Sequence, residues 1–346
     1  MRMKKSSSIS ILLPARNAEN TLPQAVESCL AQTLSDFELV LVDHASSDNT
    51  FSLMKKYARQ DSRVRAARAP DGATFVEVLN FCTRESEGDL LMRMDADDFS
   101  YADRMQHQVD YMEEHPEVAA CGSLVRIRLR QSDLSGTEPF QGYVEYEKWL
   151  NGLVSPKAVA AERYIDSPIA NPTAMIRRDA MDRYDGYAEV EWAEDYDLWL
   201  RMLQAGEQIG KVDRVLLDWY DSETRVTRTS KRYSQDNFLM AKAFYLAKEP
   251  LVKERGASVA GAGPIGKKLA RWLKDFGVQV ECFFEVNERR IGNKIGGITV
   301  KDGHCMKEAQ GTVLIGAVGV PGAREKIRTL ALAADFVEGK DFFCVA

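Results

Sequence analysis

"GDLLMRMDADDFS", Gly88 to Ser100, joins an apolar run to three aspartates within four positions. Leu90 and Leu91 read as a buried strand, with Asp95, Asp97 and Asp98 at its carboxyl end. Like charges this close repel and raise one another's pKa, so the cluster costs stability unless a cation or bound ligand offsets it. Oxygen donors with no neighbouring His or Cys suit a hard cation such as Mg2+ or Mn2+, which takes one or two carboxylates when substrate phosphates supply further oxygens. From spacing alone, a structural cap or turn after the strand is an equal reading. Arg93 is placed either to pair with the cluster or to be solvated at the strand end.

Working outward, strand and helix alternate. "SISILLPARN" is an apolar run ended by Pro14, and "TLPQAVESCLAQTL" opens with Thr21 and Gln24 at capping-box spacing and Pro23 in the first turn. Phe37 to Val42 is strand-like with Asp43 at its carboxyl end, and Ser47 or Asp48 can cap the helix that follows. "DGATFVEVLNFCTRES" is a third helix, leading into the strand that carries the aspartates. This βαβα order predicts an α/β fold with a mostly parallel sheet, whose ligands gather outside the carboxyl ends of the strands. Pro14, Asp43 and Asp95 all stand at such ends.

A chain of 346 residues, 45% apolar, is long enough for a full core and for two domains. The formal charge of −6 argues against a nucleic-acid binder, since phosphate affinity needs a basic face. No run of 18 apolar residues marks a transmembrane segment, and the short basic start reads as a solvated tail, so a cytoplasmic location is expected. The six cysteines form no CxxC pair and read as small core residues, neither disulfides nor zinc ligands.

In "WAEDYDLWLRM", Leu198, Leu200, Met202 and Leu203 give a helix an apolar side, which puts Glu194 and Asp195 in its first turn. The macrodipole favours charged carboxylates there, a setting that keeps a base ionised and equally one of plain charge complementarity. Composition changes near Glu249-Pro250. "GASVAGAGPIGKKLARWLKDFGVQVECFFEVN" then opens a new βαβ unit, with Gly261, Gly263 and Gly266 as GxGxxG between strand and helix and Glu285 at the end of the next strand, at the spacing of a ribose-binding acid. Nucleotide binding and a packing or oligomerisation role are both open for it. The expected division is a first domain over 1–235, a helical linker over 236–255 and a second domain over 256–346.

Ser8 to about Ser230 resembles the family 2 glycosyltransferases of the GT-A type, through three stretches in family order: "SILLPARNAENTLPQAVESCLAQTLSDFELVLVDHASSDNT", "GDLLMRMDADDFSYADRMQHQVDYMEEHPEV" and "NPTAMIRRDAMDRYDGYAEVEWAEDYDLWLRMLQAG". The resemblance implies the GT-A nucleotide-diphospho-sugar transferase fold, with a smaller Rossmann-like α/β domain appended. It also implies transfer of a sugar from a nucleoside diphosphate donor, a UDP- or dTDP-sugar above all, to a hydroxyl of a glycan or lipid-linked acceptor. A lipid-linked acceptor would bring the enzyme to a membrane surface as a peripheral protein.

Carried over by position, the nucleotide pocket falls on Pro14, Ala15, Arg16, Asp43 and Asp95. Asp97, with Asp95, falls on the Mn2+ or Mg2+ of the diphosphate, and Asp98 starts the next turn. The family's base falls on Asp195, with Glu194 as acceptor-side support. Arg225 and Arg228, in "WYDSETRVTRTSKRY", stand where the family often carries groups that reach the diphosphate, although such a stretch is by default an exposed loop. The sequence departs from the family at His44, where a second Asp is common, at "APDG" (Ala69 to Gly72), and at Asn171. The C-terminal segment resembles small Rossmann-like modules attached to sugar-modifying enzymes. The alternative whole-chain reading is an NAD-dependent oxidoreductase of nucleotide sugars that uses this GxGxxG segment.

Overall fold

The structure, a computed structural model, describes residues 8–129, 141–221, 230–320 and 322–346. These pack into two compact units, and the chain passes between them several times. The first comprises 1–159, 169–190 and 201–229; the second comprises 160–168, 191–200 and 230–346.

The first unit holds an eight-stranded sheet. Its strands are β1 (Ile9–Ala15), β2 (Glu38–Asp43), β3 (Val64–Arg68), β4 (Leu90–Arg93), β5 (Phe99–Ser100), β6 (Val118–Leu129), β7 (Met175–Arg177) and β8 (Gln208–Asp221), in the order β3-β2-β1-β4-β7-β6-β8-β5. From β3 to β4 every pairing is parallel. β1 sits between two partners and is buried along its whole length, which is why its sequence is apolar without alternation save for Ser10. Beyond β4 the sheet is mixed, unlike the mostly parallel sheet expected, because β7 runs against both β4 and β6.

Helices Leu22–Leu30, Thr50–Gln60 and Phe75–Arg84 alternate with these strands. Thr21 precedes the first of them without forming the expected cap: its hydroxyl donates to the Ala18 carbonyl. The capping box forms instead at Thr74 and Glu77, each side chain accepting from the other's backbone N–H.

The second unit holds a six-stranded sheet made of β9 (Ala257–Ala260), β10 (Val280–Glu285), β11 (Lys294–Ile295), β12 (Ile298–Asp302), β13 (Val313–Gly316) and β14 (Phe342–Cys344). Their order is β11-β12-β10-β9-β13-β14. All pairings are parallel except that of the edge strand β11. The order reverses at β9, whose neighbours β10 and β13 lead the chain in opposite directions across the sheet.

Helix Gln235–Leu246, read from sequence as a linker, packs within this unit. Its Lys242 ammonium is buried and donates to the carbonyls of Ile165 (2.6 Å) and Val345 (2.9 Å). Tyr245 and Trp192 both donate to the buried carboxylate of Asp197, at 2.7 and 3.0 Å. These bonds tie the segments 160–168 and 191–200 to the C-terminal sheet. No helix among the described residues is long and apolar enough to cross a membrane.

Candidate active site

The loops after β1 and β2 are stitched side by side. The His44 amide donates to the Ala15 carbonyl at 2.8 Å, Asn17 N–H to Ser46 Oγ at 3.0 Å, and Ala18 N–H to Thr50 Oγ1 at 2.7 Å. Pro14 and Ala15 are buried, Arg16 is exposed, and Asp43 ends β2 at the start of the second loop.

Asp43 is fully buried. Its Oδ2 accepts from Arg68 Nε at 2.9 Å and from Ser46 N–H at 3.4 Å, whereas its Oδ1 has no hydrogen-bond partner among the described residues. A buried carboxylate oxygen without a donor is costly, and a ligand N–H would satisfy it. Arg68 lies opposite Asp43 in the β2–β3 register, and its guanidinium rests 4.3 Å above the Phe51 ring. His44 turns aside to the Ala73 carbonyl, 2.9 Å from its Nε2.

Two strands across the sheet, carboxylate oxygens of Asp95, Asp97 and Asp98 all lie within 4.8 Å of one another. The charge that makes this tolerable comes partly from below. Arg93, buried in β4, donates from Nη2 to Asp95 Oδ1 at 2.8 Å and from Nη1 to the carbonyls of Leu12 and Met94. Of its two sequence readings, pairing with the cluster is the one realised. Arg104, also fully buried, donates to the Arg93 carbonyl at 2.9 Å, and burial pulls its pKa down to about 10.

Asp98 does not open the following turn as expected. It closes the turn from Asp95, is itself buried, and accepts the Tyr220 amide of β8 at 2.9 Å. Asp95 and Asp97 remain partly exposed. An all-oxygen donor set with two reachable carboxylates fits Mg2+ or Mn2+, with room left for ligand oxygens.

In the second unit, Glu194 and Asp195 begin the helix Glu194–Gln204, as the spacing predicts. Glu194 is buried and takes the Tyr233 hydroxyl on both oxygens, at 2.8 and 3.0 Å, with an Arg232 nitrogen 3.8 Å away. Burial, and then the charge of Glu194, hold the Tyr233 hydroxyl well above the usual phenol value. Asp197 is tied inward as described above. Of the three first-turn acids, Asp195 is the one that reaches the surface, where its Oδ1 accepts the Tyr196 amide at 2.7 Å.

Tyr233, Arg68 and Arg104 were not singled out from the sequence. Only Arg68 carried a signal, its place at the end of the strand beside Asp43's. Arg225 and Arg228 lie outside the described residues. Gly261 and Glu285, at the carboxyl ends of β9 and β10, line one cavity of the second unit, while Gly263 caps and Gly266 lies within the helix Pro264–Asp275.

A family model described as glycosyl transferase family 2 matches residues 10–185, just over half of the chain. The glycosyltransferase EpsE of Bacillus subtilis is 28% identical over 243 residues, covering 69% of this chain and 82% of that protein. The O-antigen biosynthesis glycosyltransferase WbnJ of Escherichia coli is 25% identical, over 59% of this chain and 74% of its own. Among solved structures, residues 1–349 of TarS from S. aureus, in complex with UDP-GlcNAc, superpose with a TM-score of 0.52 at 17% identity, covering 78% of this chain and 71% of that one. The mannosyltransferase PcManGT from Pyrobaculum calidifontis, in complex with GDP-Man and Mn2+, superposes at 0.50 with 16% identity, covering 79% and 74%. These structural likenesses place the first sheet in the GT-A fold.

Proposed function

The chain belongs to glycosyl transferase family 2, and from that premise we propose that it is a metal-dependent, inverting enzyme of polysaccharide biosynthesis. It takes a sugar from a UDP- or dTDP-linked donor and passes it to a hydroxyl of a glycan or lipid-linked acceptor. The observation that carries this reading is the pairing, on one sheet edge, of a buried Asp43 oxygen lacking a donor with the three clustered aspartates.

In this reading the Asp43 oxygen accepts the imide N–H of a uracil or thymine base, and Pro14, Ala15 and Arg16 pack around it. Asp95 faces the ribose side. Asp97, with Asp95, holds the cation, and when bound Mn2+ or Mg2+ supplies positive charge where the leaving diphosphate accumulates negative charge. Asp195 takes the proton of the acceptor hydroxyl as that oxygen attacks the anomeric carbon from the face opposite the diphosphate. Glu194, anchored by Tyr233, positions the start of this helix. Arg225 and Arg228 are assigned to the diphosphate on the family pattern. The second unit, with its doubly wound strand order, is a Rossmann-like module.

The test is calorimetric titration of UDP-, dTDP- and GDP-sugars with Mn2+ and with EDTA, on the parent chain and on Asp97→Asn. Donor binding that depends on the cation in the parent and is lost in the variant is the expected result. Binding indifferent to both would remove the metal site.

A further inference from the structure

Arg104 is a buried charge to which the proposed transfer gives no task. It opens the helix Arg104–Glu114, and its side chain is fully buried. Its hydrogen-bond acceptors are all neutral: Gln108 Oε1 at 2.8 Å, the Met94 sulfur at 3.7 Å and the Arg93 carbonyl at 2.9 Å. The thiols of Cys29 and Cys121 stand near it, but burial pushes both up to about 12, so they stay neutral and do not balance it. A guanidinium buried without a bonded carboxylate is costly, and an apolar side chain of similar volume would spare that cost.

The charge is nonetheless held firmly in place. Gln108, itself fully buried, accepts from Arg104 Nε and donates from its amide to the Thr173 carbonyl at 2.8 Å. The carbonyl that takes Arg104 Nη2 belongs to Arg93, whose own guanidinium reaches Asp95 at 2.8 Å. Asp98 attracts Arg104, whereas Arg93 repels it.

Two fixed positive charges therefore back three carboxylates whose oxygens lie within 4.8 Å of one another. With the carboxylates ionised, the cluster and its backing together carry about one net negative charge. A bare divalent cation gains little from so reduced a charge, because it must also surrender water to bind. A diphosphate brings the negative charge that is missing, and the same backing lessens its repulsion by Asp95 and Asp97.

We propose that Arg104 is a positioning residue of the cation site. With Arg93 it weakens the hold of Asp95 and Asp97 on a bare cation, and so makes loading of Mn2+ or Mg2+ conditional on the diphosphate of the donor. The inference rests on the metal-dependent reading given above.

The test uses the full chain and two measurements: bare Mn2+ binding by electron paramagnetic resonance, and titration of UDP, dTDP and GDP by calorimetry in Mn2+ and in EDTA. On the parent, Mn2+ should tighten at least one nucleotide by about tenfold or more, and by linkage that nucleotide should tighten Mn2+ by the same factor. Arg104→Met and Arg104→Gln remove the charge, the second keeping a donor for the Arg93 carbonyl. In both, bare Mn2+ should bind about fivefold or more tighter than in the parent, and the coupling to nucleotide should shrink. Arg104→Lys keeps the charge and should behave as the parent does. Damage to a merely structural arginine would loosen the site, so a gain in bare-cation affinity separates the two roles. Bare Mn2+ held as tightly by the parent as in the presence of nucleotide would overturn the proposal whether or not any variant folds. Bare affinity unchanged or reduced in the neutral variants would also overturn it, while leaving the metal-dependent reading in place. Nucleotide binding equal in Mn2+ and EDTA on the parent would remove that reading and this inference with it.

Discussion

The crevice at the edge of β2, β1 and β4 and the cavity at the edge of β10, β9 and β13 stand on the same scaffold. In each, a parallel sheet continues in both directions from a central first strand, and the second strand ends in an acid, Asp43 in one and Glu285 in the other. In each, that acid bonds an arginine, Arg68 or Arg290, at 2.9 Å. The loops differ. After β1 the chain makes a six-residue excursion before its helix begins at Leu22, whereas after β9 it enters the helix at Pro264 through a glycine turn. A turn that points helix amides at a ligand can hold phosphate by itself. A longer loop sends its amides into neighbouring side chains, as at Asn17 and Ala18, and the charge nearby is an acid cluster after β4 whose oxygen donors fit a hard cation. A single local strand order thus carries two loops of different length and opposite local charge.

Neither strand-end acid is the base of the proposed reaction, so the largest effect should follow from Asp195→Asn. Transfer should fall by about 10²-fold to 10⁴-fold in kcat, the usual contribution of a general base, with donor affinity nearly unchanged. Steady-state kinetics with calorimetry would check it, and a variant that keeps most of its turnover would take Asp195 out of the chemistry.

A smaller effect should distinguish the two strand-end acids. Asp43→Asn should weaken donor binding by about tenfold to a hundredfold, the scale of a lost hydrogen bond to a charged group. Equal donor affinity in parent and variant would mean that the buried oxygen faces no base.

The least effect sharpens the comparison at the level of the two cores, each of which buries a lysine. Lys211 donates to the Leu150 carbonyl at 2.5 Å and is pushed down to about 7 by burial; Lys242 is pushed down to about 8, Asp166 partly opposing the shift. A lysine whose folded pKa lies below its unfolded value leaves the unfolded state binding more protons between the two, so stability rises with pH across that interval. Below the folded pKa both states are charged and the native state bears the full burial cost. Between pH 7 and pH 9 denaturant titrations should show a gain of about 1–3 kcal/mol that Lys211→Met reduces. An identical slope in the variant would show that Lys211 is not the group responsible.

Much of the fold was legible because buried parallel strands write themselves as apolar runs, as in β1, and because Asp43 and Asp95 stand where such runs stop. The helix start at Glu194 was legible for the same reason, from the apolar spacing of Leu198 to Leu203. What stayed hidden depends on contacts remote in sequence. Nothing local marks Arg93 as buried, since its charge is met by carbonyls of Leu12 and Met94 together with Asp95. Tyr233 meets Glu194 across 39 residues. Thr21 and Thr74 each precede a helix with an acid or amide three positions on, yet only the second closes a capping box. The mixed outer half of the first sheet was invisible because β7 is three residues long and its direction is set by its partners.

The membership of residues 160–168 and 191–200 in the second unit has a consequence for how the protein is made. Glu194 and Asp195 leave the ribosome long before Phe342–Cys344, yet their helix start is packed by Tyr245 and Trp192 around Asp197, on a helix whose Lys242 is anchored to Val345. A nascent or prematurely terminated chain therefore carries its three first-turn acids without their finished setting. That setting waits until the segment through Val345 has been made, and a cut at 235 would remove Tyr245 and Lys242 and reproduce the unfinished state.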